Sequence, residues 1–365
     1  MKLECSTNDL LSAASLAARF VERRANLPVL AAALLVAERG RLTLRATNLE
    51  CGVEVFVDAK VIEGGTVAVP ATVLVGFLQN ARGKTVSATL KGEVLKLETE
   101  RAATSLKTIP HEDFPLLPKV SASSSFTLKV GDLARALRSV AHCASISAVK
   151  PELQSILLFG DGGKLITAGS DSFRLAEKTV PLRAGGSVPS LLLPARNAVE
   201  LMRIIEAGSG DIEVYYSEHQ ISTHTGNVYY TSRLIDGAFP NYRQIIPKSF
   251  STEAVVLRED LQQALKSLSV FSDKFLQVSF TVDPAHKTIM LSSRNPDVGE
   301  QTTTLRATIS GEGFTINFNS RYLADSLLAI TGESVRLQTN GPGKPILIKD
   351  AADDSYFYLA MPMNR

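Results

Sequence analysis

The stretch Leu234–Lys248, LIDGAFPNYRQIIPK, closes one run of alternating apolar residues and leads into the next. A relative of it stands earlier, TIPHEDFPLLPK at Thr108–Lys119, and the last residues, YFYLAMPMNR, look like the approach to the same seam. Punctuation used three times implies one module used three times. The distance between the Phe114–Pro115 and Phe239–Pro240 pairs is far longer than a solenoid repeat, so the repeating unit is a domain.

Laid over itself, the chain keeps one order. Each module opens with a short strand and a helix: MKLECSTNDLLSAASLAARFV from Met1, FTLKVGDLARALRSVAHCA from Phe126 and AVVLREDLQQALKSLSVF from Ala254. Each helix start carries an Asp-Leu pair, at Asp9, Asp132 and Asp260, where a carboxylate meets unpaired N–H groups and the positive end of the helix dipole. Leu133, Leu137 and Val140 share one helical face, as do Leu261, Leu265 and Leu268. Alternating strands follow (Leu42 and Leu44; Leu165 and Thr167; Ile289 and Leu291), each running into a polar corner at Asn48, Asp171 or Asn295. That alternation implies a sheet covered on one side only.

A second helix follows in each module: VPATVLVGFLQNA from Val69, LPARNAVELMRII from Leu193 and FNSRYLADSLLAI from Phe318. Pro70, Pro194 and Asn319 align at its start, where a missing N–H costs nothing. More strands follow, so each module reads β-α-β-β-β-α-β-β-β in an α+β fold. The expected domains are 1–121, 122–249 and 250–365, with the small-residue linker SASSSF at 121–126.

Composition narrows the function. The 365 residues are 45% hydrophobic and 21% charged, with a formal net charge of +2. A protein gripping nucleic acid by charge alone would be more basic, although overall balance permits a basic stripe on one face. Cys5, Cys51 and Cys143 form no CxxC pair, so buried thiols in a reducing compartment are expected. The longest apolar run, Leu27–Ala37, is too short to span a bilayer. The expected localisation is cytoplasmic.

Catalytic motifs are missing. The sequence holds no GxxxxGK[ST], HExxH or GxSxG. His219 and His224 flank a turn, where two exposed histidines outweigh a metal site. Basic residues on the helices say more. Arg135, Arg138 and His142 lie opposite Leu133 and Leu137; Arg203, Lys266 and Arg321 stand on other helices, and Arg19, Arg23 and Arg24 close the first. Their bland fate is a solvated face. Their recurrence on the helical side of a repeated module favours a shared positive surface.

LLLPARNAVELMRII, YTSRLIDGAFPNYRQIIPK and the terminal MPM, with RRANLPVL at 23–30 and SDSFRLA at 170–176, closely resemble the bacterial sliding clamp family, the beta subunit of DNA polymerase III. The resemblance covers the whole chain. It implies a head-to-tail homodimer closed into a six-domain ring around double-stranded DNA, with helices lining the hole and no catalysis, cofactor or metal. The joint would pair 100–109 of one chain with 299–309 of the other, Leu268 and Val270 adding apolar contact. Partners implied are DNA, the clamp loader complex, the replicative polymerase, and other polymerases or repair proteins that bind through short peptides. Implied DNA contacts are Arg24, Arg196 and Arg203, to which the basic helix faces add Arg135, Arg138 and Lys266. The implied peptide pocket comprises Leu153, Ser170, Ser172, Phe173, Arg174, Leu175, Pro240, Gln244, Ile245, Phe275, Asn319, Tyr322, Ala360, Met361, Pro362 and Met363. Gln244 and Phe173 depart from the arginine and histidine of well-known members. Met and aromatic side chains suit an adaptable apolar groove, with Arg174 and Asn319 available to a peptide's polar groups. Two other readings compete: a nucleic-acid enzyme on a repeated module, and an adaptor that never encircles DNA.

Overall fold

The computed structural model describes residues 1–22, 27–38, 40–120, 124–185, 187–206 and 208–363. The first module runs β1 (Lys2–Ser6), α1 (Thr7–Ala17), β2 (Ala32–Glu38), β3 (Arg41–Thr47), β4 (Cys51–Glu63), β5 (Gly65–Pro70), α2 (Ala71–Asn80), β6 (Thr85–Lys91), β7 (Val94–Glu98) and β8 (Ala103–Lys107). The second repeats the order: β9 (Ser125–Lys129), α3 (Val130–Ala141), β10 (Ser155–Asp161), β11 (Lys164–Ser170), β12 (Arg174–Pro181), β13 (Leu191–Pro194), α4 (Ala195–Ile205), β14 (Asp211–Tyr216), β15 (Gln220–Thr225) and β16 (Val228–Arg233). The third adds one short strand: β17 (Thr252–Leu257), α5 (Arg258–Leu268), β18 (Gln277–Asp283), β19 (Thr288–Asn295), β20 (Gly299–Arg306), β21 (Thr308–Ser310), β22 (Phe314–Asn319), α6 (Ser320–Ser326), β23 (Ser334–Thr339), β24 (Ile346–Asp350) and β25 (Tyr356–Ala360).

The repeat therefore holds, with a correction. A further strand (β5, β13, β22) precedes each second helix, whose first residues the sequence reading merged into the helix. Pro70 and Asn319 are N-caps rather than first-turn residues. Asn319 accepts hydrogen bonds from the amides of Arg321 and Tyr322, whereas Pro70 contributes no side-chain cap. Likewise α1 ends at Ala17, short of Arg19. At its start Ser6 Oγ accepts from Asp9 N at 3.3 Å.

By contact the chain divides into two compact units, 1–130 with 203–234, and 131–202 with 235–365. In the first, one sheet runs β8-β7-β6-β1-β4-β16-β15-β14-β9, with β3, β2 and β5 branching from β4. The long β4 serves both ends: Ala59–Glu63 pairs with β1, and Cys51–Val55 pairs with β16. Helix α1 lies against α2, β3 and β4, burying Leu10, Ala13, Ala14 and Ala17. In the second unit a sheet runs β13-β10-β11-β12-β25-β24-β23-β17-β21, and a four-stranded one runs β20-β19-β18-β22. Helix α5 packs on α6, β17, β19 and β20, burying Leu261, Leu265 and Leu268.

Strand faces are covered more fully than alternation implied. Thr43, Ile166 and Ala168 are all buried. For Ala168 the cover is a linker. Tyr242 joins Leu157, Ala168, Leu175, Leu192, Leu347 and Leu359 in one apolar cluster, with Phe239 and Ile246 packed on it. Phe114 packs on Ala32, Leu34 and Ala68 in the same manner. Thr167 is fully buried because its Oγ1 lies 3.2 Å from the carbonyl oxygens of Ala136 and Lys178. Buried hydroxyls are mostly paired in this way. All three cysteines are buried and outside disulfides, and burial pushes the Cys5 thiol up to about 12.

Candidate functional site

The corner between β11 and β12 is built by its own polar residues. Asp171 Oδ1 accepts from Phe173 N and Arg174 N, both at 2.9 Å, and Ser170 Oγ accepts from Ser172 N at 3.2 Å. This forces Ser172 into the left-handed region, φ 78°. Short polar side chains that bond the amides beyond them are what fix such turns. The turn leaves Phe173 at 63% exposure, pointing its ring into solvent.

The C-terminal strand closes on this corner. Arg174 pairs with Ala360 and Leu175 with Leu359 in the β12–β25 ladder. Met361 N then donates to Phe173 O at 2.8 Å, and Met363 N to Asn317 O at 2.8 Å. The terminus is thus tied down to Met363. Pro240 is exposed, and Ile245 and Phe275 are 55% and 58% exposed. The 3-10 turn Tyr242–Ile245 presents Gln244 and Ile245 while its Tyr242 is held in the core and bonded to Glu177. Phe173, Ile245, Phe275 and Met361 thus all leave apolar surface exposed within the second unit.

The structure qualifies several of these expectations. Arg174 is engaged within the protein: its Nε binds Asp171 at 2.9 Å and its Nη1 binds Asp325 at 2.6 Å. Its guanidinium also stacks 4.5 Å from the centroid of the Tyr322 ring. Arg174 therefore positions the Tyr322 wall. Asn319 spends its Oδ1 on capping α6. Leu175 and Ala360, at 1% and 0% exposure, offer almost no surface to a ligand. Leu153 is also buried, its carbonyl accepting from Ser145 N in the loop ahead of β10.

Sequence reading missed Asp325 and the use of Asp171 as a counter-ion. Asp171 was legible as a corner residue. Asp325 lies on α6, three residues after Tyr322, and only the fold brings it to Arg174. Beneath them His142 stacks on Tyr358 with ring centroids 6.0 Å apart. Burial lowers the His142 pKa, against the opposing pull of Asp325.

The basic positions Arg135, Arg138, Arg196, Arg203 and Lys266 are all exposed on helices. Arg135 spends part of its charge on Asp132, 3.3 Å away. Arg24 and Arg23 lie outside the described residues. Among the described residues, no group of three His, Cys, Asp or Glu side chains gathers to hold a metal. None of their helices is long and apolar enough to cross a membrane.

One structural relation concerns the free edges. Strand β4 pairs with β16, the last strand of the second module, and β12 pairs with β25, the last strand of the third. Strand β20 holds the equivalent place in the third module, yet it ends its sheet, and β8, the last strand of the first module, ends another. An open groove of about 1180 Å³ runs beside β20, lined by Asp260, Gln263, Ser267, Gln301 and Thr303. Leu268, expected beside this edge, is instead fully buried in its own module, because helical spacing sets it with Leu261 and Leu265; Val270 is 67% exposed.

Family models match nearly the whole chain: the DNA polymerase III beta subunit N-terminal domain over 1–118, its central domain over 127–241 and its C-terminal domain over 243–364. A beta sliding clamp of Escherichia coli K12 is 30% identical, with 93% of each chain covered. One of Synechococcus elongatus is 31% identical, covering 100% of this chain and 99% of the relative. Among solved structures, a Pseudomonas aeruginosa sliding clamp bound to griselimycin shares 26% identity with full coverage of both chains and a TM-score of 0.94.

Proposed function

The chain belongs to the DNA polymerase III beta subunit family, and from that premise we propose that two copies close head to tail into a ring around duplex DNA. It is a sliding clamp, a non-catalytic processivity factor of DNA replication. The carrying observation is the unfilled place at β20. Twice within the chain, the third strand between the helices pairs antiparallel with the last strand of the following module. The third instance lacks its partner, and β8 lacks its own. A second copy supplies both at once, and a heterologous contact that repeats with the right rotation closes. Pairing also hides two open edges that would otherwise invite aggregation.

In this reading the domains divide near residues 121 and 249. The helices line the hole, and Arg24, Arg135, Arg138, Arg196, Arg203 and Lys266 make water-mediated or direct phosphate contacts. Such contacts carry no sequence information and permit sliding. A topological link needs no tight grip, which fits the net charge of +2. The patch of Phe173, Ile245, Phe275 and Met361 takes short apolar peptides of the polymerase, the clamp loader and repair proteins, in the cytoplasm. The test is topological. Clamp loaded on a nicked circular plasmid stays bound and slides off once the plasmid is linearised. Equal retention on both forms makes it an adaptor with ordinary surface affinity.

A further inference from the structure

The corner that shapes the peptide patch exists twice. Asn48 Oδ1 accepts from Glu50 N at 3.0 Å and Cys51 N at 2.9 Å, as Asp171 does for its own following amides. Thr47 Oγ1 accepts from Leu49 N at 3.0 Å, matching Ser170. Leu49 has φ 73°, matching Ser172. Arg233 N donates to Glu50 O at 2.8 Å, as Met361 N does to Phe173 O. In register, Gly52 opposite Thr231 takes the place of Leu175 opposite Leu359. The first seam thus has the frame of the second, built from residues of the first unit alone.

What fills the frame differs. A Cβ on Gly52 would stand 2.3 Å from Cδ2 of Leu117. The chain's own linker occupies the space that Leu175 takes at the other seam. Phe114 anchors one end in the cluster of Ala32, Leu34 and Ala68, and Tyr229 Oη donates to Pro118 O at 2.7 Å at the other. Pro115, Leu116, Leu117 and Pro118 line a cavity of about 210 Å³ with Leu49 and Arg233. At the second seam the matching linker also packs inward, with Tyr242 in one cluster with Leu175 and Leu359, but its Phe-Pro pair runs into a 3-10 turn and Phe173 and Met361 stay 63% and 37% exposed.

We propose that the first seam is a second peptide-binding site of the same design, whose resident ligand is the chain's own segment Phe114–Pro118 with Leu117 as anchor. The proposal rests on reading the second seam as a peptide site. A tethered ligand acts at an effective concentration of roughly millimolar. It therefore excludes free peptides of roughly micromolar affinity by about a hundredfold or more. The ligand class is a short extended peptide with a Leu-sized apolar anchor, its amide edge facing the Asn48 corner. One chain then offers a single open seam because the other is already occupied.

The test uses the full chain with Pro115→Gly, Leu116→Ser and Leu117→Gly, in a Met361→Asp background that silences the second seam. The probe is a fluorescent synthetic peptide, EDFPLLPK, copied from residues 112–119. The linker variant should bind one peptide per chain at least tenfold more tightly than the Met361→Asp chain with its linker intact. A peptide with Asp in place of the Leu117 leucine should not bind. A folded linker variant that gains no binding overturns the proposal. Met361-dependent binding of partner peptides to the intact chain is the separate measure of the second seam. If that binding stands while the linker variant stays empty, only the first-seam inference falls; if it is absent, both fall. Should the triple replacement not fold, Gly52→Leu reports instead. Its side chain should expel the linker and raise proteolytic cleavage within 111–119 at least tenfold, and an unchanged rate overturns the proposal.

Discussion

Met361 is held by its backbone and exposed by its side chain: its amide donates to Phe173 O at 2.8 Å while 37% of the residue meets solvent. Met361→Asp should therefore fold normally yet weaken peptide binding at least tenfold, or about 1.4 kcal/mol, because complex formation would desolvate an unpaired carboxylate. Fluorescence anisotropy alongside circular dichroism reads both. Leu175→Asp separates core from surface. At 1% exposure it should cost at least about 3 kcal/mol of stability and lower Tm before binding can be measured. His142 sets a pH dependence. Its folded pKa lies below the ordinary 6.5, through burial first. On acidification the unfolded chain takes up the proton before the folded one does. Stability from this group is complete above pH 6.5 and declines as pH falls toward the folded pKa. His142→Phe should remove that part of the Tm loss between pH 7 and 5.5; an unchanged slope would show that other groups carry it.

Among elements, the proposed head-to-tail joint rests on β20 and the 3-10 turn Ser269–Phe271. Val270→Asp, at an exposed position, should weaken the dimer at least tenfold without changing the monomer's far-UV spectrum, as read by sedimentation across nanomolar to micromolar concentration. Much of this level was legible in advance. Leu133, Leu137 and Val140 repeat at helical spacing, and all are buried. The corners at Asn48, Asp171 and Asn295 carry the polar residues that such turns demand. The strands before the second helices were not legible: VAVP and LLLP are apolar runs continuous with the helix behind them, and periodicity cannot part a short buried strand from a buried helical turn. The Arg174 cluster was hidden for another reason. Its second carboxylate, Asp325, is 151 residues away along the chain, and no local pattern encodes that meeting. Leu268 was misassigned to a joint because an apolar residue near an edge strand reads alike whether it faces its own core or a partner.

For the whole molecule, the net charge of +2 must serve two ends, staying on DNA and moving along it. Charge reversal at Arg196 and Lys266 together should weaken salt-dependent DNA binding by the loaded ring and flatten the slope of log K against log salt by roughly 0.9 per lost phosphate contact. Retention on circular DNA at moderate salt should fall far less, because in the proposed ring the link is topological. A parallel fall in both would return DNA binding to simple attraction.

The pairing of β25 with β12 also has a history in time. A chain leaves the ribosome from its N-terminus at roughly 5–20 residues per second. Strand β12, Arg174–Pro181, is therefore complete about nine to thirty-six seconds before its neighbour, Tyr356–Ala360, can reach it. During that interval an edge stands open beside Leu157, Leu175 and Leu192, which the finished protein buries with Leu347 and Leu359. Non-local strand pairing of this kind is slow and exposes nascent chains to misassociation. Newly made chains should thus depend on a holding chaperone until their last strand emerges. Release of stalled nascent chains ending before residue 356 should yield aggregates, where release after residue 363 yields native protein.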